Sequence, residues 1–158
     1  MFRSLFSHSP RPAQQAEPIS RNLKTNLTII ERTFANAHDL IVCEFTVGSP
    51  PFDVALACIK GLADKEAINE HIIHSLMKEA RFQMQPGEAG ATDFLSYLKR
   101  HVVSIAEIRD LQTIPEALDG VLEGGTVLFV QGSNSALLAG TQGFEKRPIS
   151  EPETEVVV

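Results

Sequence analysis

The sequence predicts an α/β fold of the α+β type, in which a mixed β-sheet with two antiparallel hairpins is covered by three to four helices. Residues 40–47 and 52–59 each read as a strand whose larger apolar side chains align at alternate positions, and the turn 48–51 between them is too short for a parallel crossover. Residues 125–144 hold two more apolar runs around the polar turn 131–134. Between the two pairs of strands, apolar residues recur every three or four positions, which is typical of helices. The predicted hairpins can therefore lie side by side in one sheet.

The first half of the chain gives one helix and the first hairpin. Ser20 is the predicted N-cap of a helix that ends at 37–39, with an apolar stripe of Leu23, Leu27, Ile30 and Phe34. In the strand that follows, alternation places Ile41, Cys43, Phe45 and Val47 on one face and Glu44 and Thr46 on the other. The second strand aligns Phe52, Val54, Leu56 and Cys58 in the same way.

The second half adds the remaining helices. Asp64 caps a helix whose stripe is Ile68, Ile72, Leu76 and Ala80, widened by Ile73 and Met77. Thr92 or Asp93 begins a shorter helix that directs Phe94, Leu95, Leu98 and Val102 one way, and residues 103–111 fit neither helical nor strand spacing. Thr113 and Glu116 form a capping box for a helix with Leu118, Val121 and Leu122 as its apolar face, and Gly124 ends it.

Composition limits the possible functions. The chain has 158 residues, 43% of them hydrophobic, which is enough for one ordinary globular domain. Its net charge of −6 and its lack of Trp argue against a nucleic-acid partner. No stretch of the sequence is long and apolar enough to span a bilayer, and the first residues do not form a secretory signal.

Three regions are predicted. Residues 1–18 form a disordered tail, residues 19–145 form the folded domain, and residues 146–158 form an extended acidic connector. Pro148 and Pro152 keep that connector extended and largely unpaired. Because a folded domain rarely ends in three valines, we expect the connector to lead into a further part of the protein.

Few residues point to chemistry, and no cofactor or metal is predicted. Glu70, His71 and His74 share one helical region and could together seat a metal, but their spacing is not that of a metalloprotease and a solvated helix face explains them. Gly87 and Gly90 follow a helix rather than a strand, as in an interhelical turn and unlike a phosphate-binding loop. Ser133 lacks the glycine and the helix that follow a nucleophilic serine, so turn formation accounts for it. Cys43 and Cys58 both lie in apolar runs and are predicted to be buried free thiols.

Several segments resemble the A-subunit family of bacterial spore germinant receptors, the GerA type. They are residues 19–23, the strand around Glu44, the helix entry with Asn69 and Glu70, and the strand 125–130. The most specific likeness lies in the connector, in Arg147, Pro148, Glu151, Pro152, Glu153, Thr154 and Glu155. The turn 131–134 departs from the family, which often has an acidic residue after that strand. The likeness spans about residues 19–158, nearly the whole chain.

The resemblance implies a non-catalytic N-terminal domain that acts in subunit assembly or signal relay during nutrient-triggered germination. It implies a transporter-like B subunit, a lipoprotein C subunit and other A subunits as partners, and the spore inner membrane as the location. It also implies a second lobe and membrane helices after the connector. Two alternatives stay open: a free-standing small-molecule-binding α/β domain using loops 86–90 and 131–135, and an enzyme that depends on Glu70, His71 and His74.

Overall fold

The fold is a five-stranded antiparallel sheet with helices on both of its faces. The computed structural model describes residues 16–35, 38–48, 51–78, 90–102 and 107–142. The helices are α1 (Leu23–Thr33), α2 (Lys65–Ile68, Asn69–Ile73 and His74–Lys78), α3 (Ala91–Tyr97 and Leu98–Val102) and α4 (Ile114–Leu122). The strands are β1 (Leu40–Val47), β2 (Phe52–Ile59), β3 (Ile108–Leu111), β4 (Thr126–Val130) and β5 (Ala136–Ala139). The middle segment of α2 and the second segment of α3 are single π-helical turns.

The sheet order is β1-β2-β4-β5-β3, and every described pair of strands is antiparallel. The α+β class and the two hairpins are confirmed, and the sheet proves antiparallel throughout rather than mixed. The hairpins do lie side by side, because β2 pairs with β4. Within the stretch 103–111, which no pattern explained, Ile108–Leu111 form β3 at the edge beside β5.

Each face of the sheet carries its own core. Side chains from α2 and α3 pack on one face, where they meet Val54, Leu56 and Cys58 of β2. Side chains from α1 and α4 pack on the other face, where they meet Ala55, Ala57 and Ile59 of the same strand. Alternate residues of one strand therefore contribute to two cores, which is why β2 and β4 are apolar almost throughout.

The helix starts follow the rules of capping, with two corrections. Thr113 and Glu116 form the predicted capping box of α4, and Asp64 caps α2. The N-cap of α1 is Asn22, whose side chain accepts a hydrogen bond from the Lys24 amide, and not Ser20 as predicted. The Ser20 hydroxyl instead accepts a hydrogen bond from the Asn22 amide. Helix α3 begins at Ala91, ahead of the predicted start at 92 or 93.

Three apolar residues predicted to be buried are exposed instead. Met77 is 48% exposed and Leu122 is 56% exposed. Each lies near the end of its helix. Cys43 is exposed because β1 is an edge strand, whereas Cys58 on the interior strand β2 is buried as predicted.

The first described residues, from 16 onward, contact the start of α4. Glu17 accepts a hydrogen bond from the Ile114 amide at 2.8 Å, and Pro18 forms a bridge with Thr113. Ile19 is buried, and the 1%-exposed side chain of Asn26 holds both backbone groups of Ser20. Residues 1–15 of the predicted tail and all of the connector 146–158 lie outside the described residues.

Candidate functional site

The described chain leaves the sheet just after β5, and several elements meet at this point. Asp64 donates its backbone N–H to the Thr141 carbonyl at 2.6 Å, and Ala63 forms an antiparallel bridge with Gln142. On the other side, Gly140 donates to the Glu107 carbonyl at 2.9 Å. The segment that leads to the connector is therefore fixed on both sides. We call this arrangement around Thr141 the exit site.

Two buried hydroxyl groups lie at the centre of the exit site. The Thr141 hydroxyl donates to the Gly124 carbonyl at 2.9 Å and is also 2.9 Å from the Thr126 hydroxyl. Because a hydroxyl has one proton to give, Thr126 must be the donor to Thr141. Both threonines are fully buried. The bonds satisfy polar groups that would otherwise be costly to bury, and they join the start of β4 to the residues after β5.

Cys58, on the interior strand β2, lies beside this pair of threonines. Burial, more than the neighbouring Cys43 thiol, raises the pKa of the Cys58 thiol, and the nearby Thr126 side chain opposes the rise. The Cys58 side chain therefore stays a neutral thiol at physiological pH, so it packs as a small apolar group and is a poor nucleophile.

Gly124 shapes the exit site from the side of α4. Its φ of +95° is one that residues with side chains rarely adopt. A Cβ atom added there would lie 3.0 Å from the Leu62 carbonyl oxygen and 3.0 Å from Cγ of Gln142. Glycine at this position thus lets three segments approach closely: the end of α4, the loop before α2 and the residues after β5.

Asp64 links the exit site to α2. Its backbone N–H bonds to Thr141, while its carboxylate accepts from the Glu66 amide at 3.1 Å and the Ala67 amide at 3.4 Å. One residue therefore both anchors the departing chain and caps the helix. A displacement of the residues after Thr141 would act directly on the first turn of α2.

An open cavity of about 440 Å³ lies beside the exit site. Its lining includes Gly140 and Gln142 from the departing chain, Glu107 and Arg109 from the region of β3, and Glu123 from the end of α4. Charged groups of both signs make it a polar surface rather than an enclosed ligand pocket.

The chemical candidates from the sequence do not converge. Glu70, His71 and His74 are exposed along α2. Within the described ranges, no group of three or more His, Cys, Asp or Glu side chains could hold a metal ion. Ser133 is used in its own turn, where its hydroxyl accepts from the Ser135 amide and donates to the Ser135 carbonyl.

The loops proposed for a ligand-binding domain are accounted for only in part. In loop 131–135, the Gln131 side chain accepts a hydrogen bond from the Leu23 amide at 2.8 Å. The Gly132 amide donates to the Arg21 carbonyl, and the Arg21 guanidinium donates to the Gly132 carbonyl. This loop therefore docks the start of α1. In loop 86–90, only Gly90, which precedes α3, belongs to the described residues, so Gly87 falls outside them.

Comparison with known proteins identifies the family. The model of the Bacillus/Clostridium GerA spore germination protein family matches residues 28–158, which is most of the chain. The chain belongs to the GerA family. Among its relatives are spore germination protein KA of Bacillus subtilis strain 168, 24% identical over 139 residues, and spore germination protein GerLA of Bacillus cereus, 25% identical over 137 residues. Each match covers 87% of this chain but only 24% and 26% of the relative, so the chain spans about a quarter of the relatives' length.

A solved structure shares the fold of this GerA-family chain. It is the N-terminal domain of the A subunit of the Bacillus megaterium spore germinant receptor GerK3, with a TM-score of 0.55 and 20% identity. The match covers 77% of this chain and 94% of that one. No described helix is long and apolar enough to cross a membrane.

The GerA-type motif residues fall in different places. Glu44 is exposed on β1, on the side of the sheet that α1 and α4 cover, whereas Asn69 and Glu70 are exposed on α2, which covers the opposite side. The structure therefore does not gather these three residues into one site. Asn69 and Glu70 do begin the π-helical turn of α2, a feature often found near functional regions. The connector residues Arg147, Pro148, Glu151, Pro152, Glu153, Thr154 and Glu155 lie outside the described residues.

Little in the sequence alone points to the exit site. Thr126 and Thr141 flank the second hairpin, and a polar residue at each end of an apolar hairpin is the one signal that could have been noticed. Their contact with Gly124 and Asp64 depends on how three loops fold together, and no local pattern encodes it.

Proposed function

We propose that this chain is a non-catalytic domain of a GerA-type germinant receptor A subunit, acting in receptor assembly or signal relay when nutrients trigger spore germination. The observation that carries the proposal is the family match over residues 28–158. The fold shared with the N-terminal domain of the GerK3 A subunit supports the same position within the receptor.

The exit site supports a relay role. The predicted connector 146–158 begins only a few residues after Thr141 and Gln142. Backbone bonds tie these two residues to Asp64 and Ala63, and Asp64 caps α2. A pull or rotation on the connector would thus be passed to α2 through short, direct contacts, which transmit displacement better than a flexible loop does.

The lack of a gathered reactive group among the described residues favours a non-catalytic role. Glu70, His71 and His74 lie exposed on one helix, and the Ser133 hydroxyl is held within its own turn. The described residues with shifted pKa values are Cys58 and Glu116, and burial and helix capping respectively account for them. Neither Cys58 nor Glu116 lies in a cleft together with a general base and a group that stabilises developing charge, as a catalytic site requires.

The proposed partners and location come from the family. They are a transporter-like B subunit, a lipoprotein C subunit and further A subunits, at the spore inner membrane. No nucleic acid is among the proposed partners, because the net charge is −6.

The test compares spores of three strains. In one the gene is deleted, in the second it carries Thr141→Val, and in the third it carries the control substitution Thr141→Ser. Germination is followed as loss of spore absorbance after addition of each nutrient in a panel, and the abundance of the protein is measured in the same spores. We expect the deletion to abolish the response to at least one nutrient while a non-nutrient trigger still works. We expect Thr141→Val, at unchanged abundance, to slow that response more than Thr141→Ser, which keeps the hydroxyl. Full germination of the deletion strain with every nutrient would refute the proposal.

A further inference from the structure

The two edges of the sheet are built differently. Strand β3 is only four residues long and contains Arg109 and Asp110, which is a common way to prevent unwanted strand pairing. Strand β1 has eight residues, pairs with β2 in eight consecutive positions without a bulge, and contains neither lysine nor proline. Its single charged residue is Glu44. Among the described residues, the β3 edge of the sheet is therefore protected against strand pairing, whereas the β1 edge has no such feature and no strand beside it.

The phase of the pleat tells which backbone groups of β1 face outward. The Lys60 amide donates to the Asp39 carbonyl at 2.8 Å, so residues 39 and 60 form a hydrogen-bonded pair. Because such pairs alternate, Ile41, Cys43, Phe45 and Val47 direct their backbone groups toward β2. The outward groups belong to Leu40, Val42, Glu44 and Thr46, and no described strand pairs with them.

A second copy of β1 fits this edge in one antiparallel register. When a two-fold axis passes beside Cys43, residue 40 faces residue 46 of the other copy and residue 42 faces residue 44. All four outward-facing residues of both strands are then paired. A shift by two residues in one direction places Glu44 opposite Glu44, and like charges directly opposite each other are destabilising. A shift by two residues in the other direction places Val42 opposite Val42 and leaves Thr46 without a partner in β1 of the other copy.

The side chains agree with the same register. Ile41 of one copy faces Phe45 of the other, and this β-branched and aromatic combination is a favourable cross-strand pair. Leu40, Ile41, Val42 and Phe45 are all only half-buried in the single chain, so their apolar surface is available to a second copy. Glu44 faces Val42 in this register, and its side chain is exposed in the single chain.

The geometry points to β1 as a homodimer interface: two copies of this chain join edge to edge through antiparallel β1 strands, with Cys43 facing Cys43, and form a continuous ten-stranded sheet. The interface names a surface for the assembly role proposed above, yet it does not depend on that role. Its test measures the isolated 158-residue chain, whereas the proposed function is tested in spores, so either can fail without the other.

The first test compares Glu44→Pro with its matched control Glu44→Ala by sedimentation over a range of concentrations. Both variants remove the exposed side chain, but only proline removes the outward N–H, and it leaves the bonds to β2 intact. Two hydrogen bonds per dimer are lost by symmetry, so we expect Glu44→Pro to raise the dimer Kd by about tenfold or more relative to Glu44→Ala. Circular dichroism checks that both variants are folded.

The second test uses Cys43 as a reporter of register in a Cys58→Ser background. Facing residues of a non-hydrogen-bonded antiparallel pair have Cα atoms about 4.5 Å apart, a distance that a disulfide can bridge. Addition of the oxidant diamide should therefore convert the two Cys43 thiols of a dimer into a disulfide. In the register control Cys43→Ser/Glu44→Cys, the introduced thiols are diagonal neighbours about 7–8 Å apart and should cross-link far more slowly.

Four results would overturn the inference. The first is a chain that stays monomeric up to about 1 mM, the weak limit of specific association. The second is an equal Kd for the proline and alanine variants. The third is equally fast cross-linking at positions 43 and 44. A monomer whose amides at 42 and 44 exchange slowly would also overturn it, because another segment of the same chain would then cover the edge.

Discussion

The exit site yields the sharpest prediction, which concerns Thr141→Val. Valine has nearly the same shape as threonine, so the substitution leaves no cavity and removes only the hydroxyl. The Gly124 carbonyl then loses its donor and the Thr126 hydroxyl loses its acceptor, both in a fully buried position. A buried polar group left without a partner costs about 1–3 kcal/mol. Because the Thr126 hydroxyl can rotate to another acceptor, we expect a net loss of about 2 kcal/mol in the free energy of unfolding.

Urea denaturation followed by far-ultraviolet circular dichroism measures this loss, since the chain has no tryptophan to report by fluorescence. The same Thr→Val change at Thr28, which is exposed on α1, is the control and should change stability by less than about 0.5 kcal/mol. Thr126→Val should cost less than Thr141→Val, because Thr141 keeps its bond to Gly124, and the double variant should cost less than the sum. A loss for Thr141→Val no larger than that of the Thr28 control would refute the hydrogen-bond network as described.

Three further predictions concern other residues. Gly124→Ala should destabilise the chain more than Gly61→Ala in urea denaturation: both glycines have a φ of +95°, but an added Cβ meets the Leu62 carbonyl only at 124 and nothing within 4 Å at 61. The Gln112 amide and, less strongly, the Thr113 amide hold the pKa of the Glu116 carboxyl below its ordinary value of 4.5. The stability advantage of wild type over Glu116→Gln should therefore be full above pH 4.5 and disappear as pH falls through the lowered pKa; an advantage independent of pH would contradict this. Exposed Cys43 should react with a thiol reagent at least about ten times faster than Cys58, whose thiol is buried and has a raised pKa, and equal rates would contradict the burial.

The sequence was sufficient for elements whose own residues carry the pattern. Alternation in β1 and β2 predicted both strands and the aligned faces, because side chains of a strand point to opposite sides by geometry. The capping box of α4 was equally clear, since both of its residues lie within the first turn of one helix. Such signals lie within a few neighbouring residues, so a single sequence is enough to predict the element.

Features that depend on distant partners were missed. Strand β3 has four residues, two of them charged, and it exists as a strand because it pairs with β5 far along the chain. Cys43 has the same alternating pattern as buried residues, but the position of β1 in the sheet order decides its exposure. The exit site was missed for the same reason, since Thr141, Gly124 and Asp64 meet only in the folded domain.

Helices on both faces of the sheet limit where this domain can receive or pass on a contact. Partners can reach the sheet itself only at its edges and ends, and the two described features that stand out there are β1 and the exit site. Glu44 and Thr141 share no hydrogen-bond partner among the described residues, so an assembly surface and a relay surface can be separate. In that case the stability changes of Glu44→Ala and Thr141→Val should add within about 0.5 kcal/mol in the double variant. A larger deviation would mean that pairing at β1 and anchoring of the departing chain are coupled through β2, which contacts β1 directly and reaches the threonine network through Cys58.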